Sequence, residues 1–131
     1  GRWFGFRPVI KPLMKIMFGQ TFLNDPAAQT IRAHWTKHLM GLDKVGTSRA
    51  AHGVIDRDGV YDLLGRIETP TLILVGDEDV ATVPAKAERM QQAIRGARLV
   101  VIPGAGHSAS IEQPALVTRA MEDFLSELVA Q

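Results

Sequence analysis

The sequence contains no cysteine. That absence excludes disulfides, zinc–thiolate centres and thiol nucleophiles, and it removes the usual clue to redox compartment. An excess of one charge is also missing. Fifteen Lys and Arg face fourteen Asp and Glu, for a net charge of +1, so no overall field favours nucleic acid or another polyanion. Long apolar runs are absent: stretches such as Leu72–Val75 last only a few residues, far short of the ~20 needed to cross a bilayer. The start, GRWFGF, has neither Met nor a signal-peptide pattern. The expectation is a polypeptide that begins part-way into a longer one and, by default, works in the cytoplasm. No repeat or low-complexity tract is visible.

What is present fits one globular domain of 131 residues, 46% apolar and 22% charged. Residues 1–24 hold Arg2, Arg7, Lys11 and Lys15 but no acid. Val9, Ile10, Leu13, Met14 and Met17 recur at helical spacing, which predicts a helix packed on a neighbour with its lysines in water. NDPAAQTIRAHWTKHLMG reads as a second helix, with Asp25 as N-cap, Pro26 in the first turn, Gly41 as the stop, and Ile31, Trp35 and Leu39 as one stripe. His34 and His38 share a face, but the acid of an H-E-x-x-H zinc motif is replaced by Trp35; no metal site is expected. LDKVGTSRAAHGVIDRDG reads as connector, and GVYDLLGRI as a short helical turn.

The second half is strand, helix, strand, helix. Leu72–Val75 is a continuous apolar run between Pro70 and Gly76, as expected of a strand covered on both faces. VPAKAERMQQAIRG is a helix with Ala87, Met90 and Ile94 as its stripe, ARLVVIP a second buried strand, and QPALVTRAMEDFLSELVA a terminal helix with Leu116, Val117, Ala120, Phe124 and Leu128 along one side. Strands joined by one helix pair in parallel. In an open parallel sheet, ligands gather beyond the carboxyl ends of the strands. Two polar clusters fall there: Gly76-Asp77-Glu78-Asp79 and Gly104-Ala105-Gly106-His107. A carboxylate from the first and the imidazole of the second can then meet, which is the orienting half of a nucleophilic triad. The glycines around His107 permit a tight turn and close backbone approach. Glu112 precedes the last helix, where a negative charge favours the helix N-terminus.

From about residue 20 onward the sequence resembles the C-terminal part of an α/β-hydrolase. The resemblance rests on PTLILVGDEDVATVP, on ARLVVIPGAGHSASIEQP, on the approach GRIETPTL and on FL in the last helix, in that order and spacing. It implies an α/β fold: two parallel strands with flanking helices, preceded by a helical cap. Residues 1–66 form the cap segment and residues 67–131 the core part. The family's G-x-x-D pattern points to Asp79 as the triad acid, with Asp77 next, and its G-x-G-H loop to His107 as the base. The nearest members by flavour are small lactonases, esterases and non-haem peroxidase-like proteins. Apolar cap residues such as Met14, Met17, Phe18 and Trp35 suit an acyl or ring-bearing ligand, and Arg32, His34 or His38 a carboxylate on it. No cofactor is implied.

The family's serine sits in a G-x-S-x-G elbow between a strand and a helix. The near match here, Gly46-Thr47-Ser48-Arg49-Ala50, follows no buried strand and stands only 31 residues before Asp79, so Ser48 is not expected to be the nucleophile. Ser108 and Ser110 adjoin His107 but lie on no elbow. The family's His-Gly oxyanion loop is absent too. The expectation is the C-terminal portion of a serine hydrolase roughly twice as long, acting on a small ester or lactone. This chain would supply acid and base but no nucleophile, be inactive alone, and self-associate through its unpaired sheet edge. The alternative is a stand-alone α/β binding module without catalysis. The upstream DNA discriminates: the first reading expects it to encode a strand, G-x-S-x-G and a His-Gly loop, the second a start codon beside residue 1.

Overall fold

In the computed structural model, which describes residues 7–130, strand β1 (Leu72–Gly76) pairs in parallel with β2 (Arg98–Ile102). The register sets Leu72 against Arg98, Ile73 against Leu99, Leu74 against Val100 and Gly76 against Ile102. Side chains alternate across a strand, and the two faces of this pair feed two different cores. Ile73 and Val75, with Leu99, pack against Ala87 and Ile94 from the crossover helix α5 (Pro84–Ala93) and its end. Leu74, Val100 and Ile102 pack with Ala105 and with Val117 of the terminal helix α7 (Pro114–Val129). This two-sided covering holds for β1; in β2, expected to be buried too, Val101 is 43% exposed and only Ile102 is fully buried.

The helices explain themselves locally. Pro84 and Pro114 each occupy the first turn of their helix, where the missing N–H costs nothing. Gly96, just beyond α5, has φ +75°, a left-handed conformation that favours glycine. In α5, Ala87 and Ile94 are buried while Met90 of the expected stripe is exposed. In α7, Val117 and Ala120 are buried and Leu116 is exposed.

Before the sheet the described residues form four α-helices: α1 (Arg7–Met17), α2 (Gln20–Asn24), α3 (Gln29–Met40) and α4 (Lys44–Ile55). Ile10, Met14, Phe18, Phe22 and Ala28 form their core, with Trp35 and Leu39 against it. Phe18 and Phe22 stack at 5.1 Å. Asp25 caps the 3-10 turn Pro26–Ala28 by accepting from Ala27 N at 2.9 Å, and this turn runs into α3. Ile31 of the expected stripe is exposed.

One expectation is corrected. Residues 44–55, read as connector, form α4. Asp43 is its N-cap, accepting from Gly46 N at 2.6 Å. Gly46 and Gly53 suggested a loop because glycine weakens helices by about 1 kcal/mol each, but a capped first turn and the alanines around them outweigh that. No residue of α4 is buried. A 3-10 helix at Tyr61–Arg66 then places Leu64 against the Ile73 cluster. No described helix is long and apolar enough to cross a membrane.

Candidate active site

The parallel register brings the two polar loops to one sheet end. Gly76 closes β1 directly against the turn after β2: a Cβ there would strike the backbone of Ala105 and Gly106. The loops are then laced together. Asp77 N donates to Ile102 O at 3.1 Å and Glu78 N to Ala105 O at 2.9 Å. Asp77 Oδ1 accepts from Gly104 N at 2.8 Å. Gly104 takes φ +65°, which bends the chain toward His107.

Within this frame Asp79 Oδ2 lies 2.9 Å from His107 Nδ1. Asp79 is only 5% exposed, whereas the His107 side chain is 37% exposed. Burial pushes the Asp79 carboxyl upward, but its hydrogen bonds outweigh that: the Thr82 amide, His107, the Thr82 hydroxyl and the Ala81 amide together hold it below the ordinary carboxylate range. Ala81 N and Thr82 N both donate to Oδ1 at 2.8 Å, and Thr82 Oγ1 donates to Oδ2 at 2.8 Å. Ionised, Asp79 can only accept, so Nδ1 of His107 carries the proton and Nε2 is left with its lone pair. No described residue hydrogen-bonds Nε2. A half-exposed imidazole oriented by a buried carboxylate is equipped to take a proton from a hydroxyl.

Three carboxylates beside the pair brace the loops. Asp77, the second candidate for the acid, is turned to Gly104 and Ala105. Glu78 accepts from the amide and the hydroxyl of Thr21 at the start of α2, and these bonds lower its carboxyl from the ordinary value. Glu112, at the end of the short helix α6 (Ala109–Glu112), is buried and accepts three backbone N–H groups: Gly19 at 2.7 Å, Gly106 at 3.0 Å and Ser108 at 3.1 Å. Ser108 N also donates to Met17 O at 3.0 Å. Gly19 and Gly106 touch backbone to backbone, and a Cβ on either would collide with the other. The histidine loop and the segment 17–21 are thus one bonded unit. Sequence reasoning took Glu112 for a helix-dipole charge and passed over Thr82. The only available signal for each was spacing: a Thr three residues after Asp79 in an Asx-type turn, and an acid five residues after His107.

The other named residues are placed elsewhere. Ser48 lies on the exposed middle of α4, its carbonyl facing His52 Nδ1 at 2.8 Å, and not on a strand-to-helix elbow. Ser108 is buried at the start of α6, and Ser110 is exposed within it. Arg32 donates to the carbonyls of Phe22 and Asp25, bracing the turn into α3. His34 and His38 stand edge-on to the Trp35 ring at 5.9 and 5.5 Å. Met14 and Phe18 are core. An open groove of about 710 Å³ between α1 and α3 is lined by Ile10, Met14, Leu23 and Met40, with Lys11 and Lys15 at its rim.

Comparison with known proteins gives a consistent result. A family model of the α/β-hydrolase type, described as TAP-like protein, matches residues 33–129. A Pseudomonas savastanoi pv. phaseolicola protein, named provisionally as the carbamate hydrolase RutD, is 32% identical over 94 residues, covering 72% of this chain and 35% of its own length. A thermophilic esterase from Thermogutta terrifontis superposes with a TM-score of 0.79 at 31% identity, covering 91% of this chain and 43% of the esterase. The enol-lactonase of Burkholderia xenovorans LB400 superposes with a TM-score of 0.82 at 25% identity, covering 92% of this chain and 45% of the lactonase. The chain spans about a third of the length of the curated relative and less than half of each solved one.

Proposed function

The chain belongs to the α/β-hydrolase family, its two-stranded parallel sheet and helices matching the C-terminal part of that fold, and from this premise we propose that it supplies the acid and base of a Ser-Asp-His triad whose serine lies on another stretch of protein. The observation that carries the reading is the 2.9 Å contact between buried Asp79 and His107, with Nε2 free. His107 Nε2 takes the serine hydroxyl proton as the oxygen attacks an ester or lactone carbonyl. Asp79 stabilises the imidazolium that forms. The tetrahedral intermediate collapses, the imidazolium gives its proton to the departing alkoxide, and an acyl-serine remains. Water then repeats the cycle: Nε2 takes its proton, the hydroxide attacks the acyl carbon, and the serine leaves with the proton returned. The esterase and enol-lactonase relatives support an ester or lactone as substrate class.

Taken alone, the 131-residue chain turns over no ester. A fluorophosphonate probe leaves it unlabelled; stoichiometric labelling that disappears in Ser48→Ala would overturn this. Joined to an upstream segment that carries a serine elbow and oxyanion donors, it gains hydrolysis of a short p-nitrophenyl ester, and His107→Ala abolishes that gain. Activity of the joined protein that is indifferent to His107→Ala rejects the triad reading. Among the described residues the sheet consists of β1 and β2, so each has an edge that no described strand pairs, and such edges pair with further copies. Light scattering on the isolated chain is expected to show dimers or larger species; a monodisperse monomer at high concentration counts against it.

A further inference from the structure

Thr82 meets both members of the acid–base pair. Its amide donates to Asp79 Oδ1 at 2.8 Å and its hydroxyl to Oδ2 at 2.8 Å, so one residue grips the two carboxylate oxygens separately and fixes the plane of the group. The same hydroxyl oxygen lies 3.2 Å from His107 Nδ1. Its proton is committed to Oδ2, so toward the ring it acts only as an acceptor, sharing the Nδ1 proton with Asp79. We propose that Thr82 is a positioning residue of the pair: it aims Oδ2 of Asp79 at the imidazole, moderates the carboxylate's pull on it, and helps hold the Nδ1–H tautomer that keeps Nε2 as the base. This rests on the reading of Asp79 and His107 as acid and base.

The remaining charged groups around the two loops are engaged elsewhere. Asp77 faces the amides of Gly104 and Ala105, Glu78 faces Thr21, and Glu112 faces Gly19, Gly106 and Ser108. Asp79 and Thr82 are the described groups within hydrogen-bond distance of the His107 ring. Thr82 itself is exposed, in the turn before α5, so Thr82→Val keeps its shape and backbone without opening a core.

The two effects of the hydroxyl on His107 have opposite signs. Donation to Oδ2 disperses negative charge and weakens the imidazolium's partner; acceptance from Nδ1–H favours the charged ring. The shorter, charge-assisted bond is the stronger, so loss of the hydroxyl strengthens the Asp79–imidazolium pair. The test is a 1H–15N NMR titration of the histidines in the 131-residue chain. Thr82→Val raises the His107 pKa by about half a unit, close to three-fold in proton affinity. Thr82→Ser, which keeps the hydroxyl, titrates like the parent. Asp79→Asn lowers the pKa by more than Thr82→Val raises it. If Asp79→Asn shifts His107 but Thr82→Val leaves it unchanged or lowers it, or if Thr82→Ser behaves as Thr82→Val does, the role of Thr82 is refuted while the pair stands. If Asp79→Asn has no effect, the pair itself is refuted and Thr82 falls with it.

Discussion

Ile102 and Ile55 each close an element, β2 and α4, yet the first is 1% exposed and the second 76%. The contrast extends to the halves they belong to. In the sheet half, α5 packs on one face of the strands and α7 on the other, and Val101 of β2 is the strand residue left exposed. In the helical half, α3 and α4 bury no residue fully, and Val45, Val54, Ile55 and Val60 face outward. Among the polar ties between the halves, those at segment 17–21 matter most for the site: Met17 O, Gly19 N and Thr21 are held by the histidine loop, Glu112 and Glu78. The acid and base therefore stand on the sheet, the buried core of α1 and α2 is pinned to it at the point nearest His107, and α3 and α4 are the less buried part of the helical layer.

The largest effect that could break this comparison is on catalysis. In the polypeptide that also supplies the serine, Asp79→Asn is expected to lower kcat by about 10⁴-fold through loss of imidazolium stabilisation and of the correct tautomer; a loss below ten-fold would show that another group orients His107. On stability, Ile102→Ala should cost about 2–5 kcal/mol in urea unfolding, the price of a cavity in a closed core. Glu112→Ala strips the buried amides of Gly19 and Gly106 of their acceptor, while Ser108 N keeps Met17 O, at about 1–3 kcal/mol for an unsatisfied buried group, and hydrogen exchange at Gly19 and Gly106 should quicken together. Quickening at Gly106 alone would mean that the two halves are not joined there.

The acid response follows from the depressed carboxyls. Asp79 and Glu78 both titrate below their ordinary values, so their contribution to stability is complete above about pH 5 and fades as pH falls through the lowered values. Asp79→Asn should flatten that part of the acid-unfolding curve. The smallest effect marks the other side of the comparison: Ile55→Ala should change unfolding free energy by no more than about 0.5 kcal/mol. A cost near that of Ile102→Ala would show that α4 is covered, by another copy or another segment.

The sequence determined the strands, their parallel pairing and the loop ends on which Asp79 and His107 stand. A doubly covered strand writes itself as an apolar run, and proline and glycine mark where each helix starts and stops. It also set Ser48 aside as nucleophile, because no buried strand precedes it, and the structure places Ser48 in the middle of α4. It misread α4, where two glycines outweighed the Asp43 cap in local propensity. The G-x-x-D pattern of the resembled family singled out Asp79 among three neighbouring acids, but only the tertiary structure supplies the physical reason. Asp77, Glu78 and Asp79 are alike in composition and spacing, and a turn of one residue sends them to Gly104, Thr21 and His107 respectively. It alone decided that Glu112 ties the helical layer to the histidine loop, since hydrogen bonds to backbone amides 93 and 6 residues away leave no periodic trace in the chain.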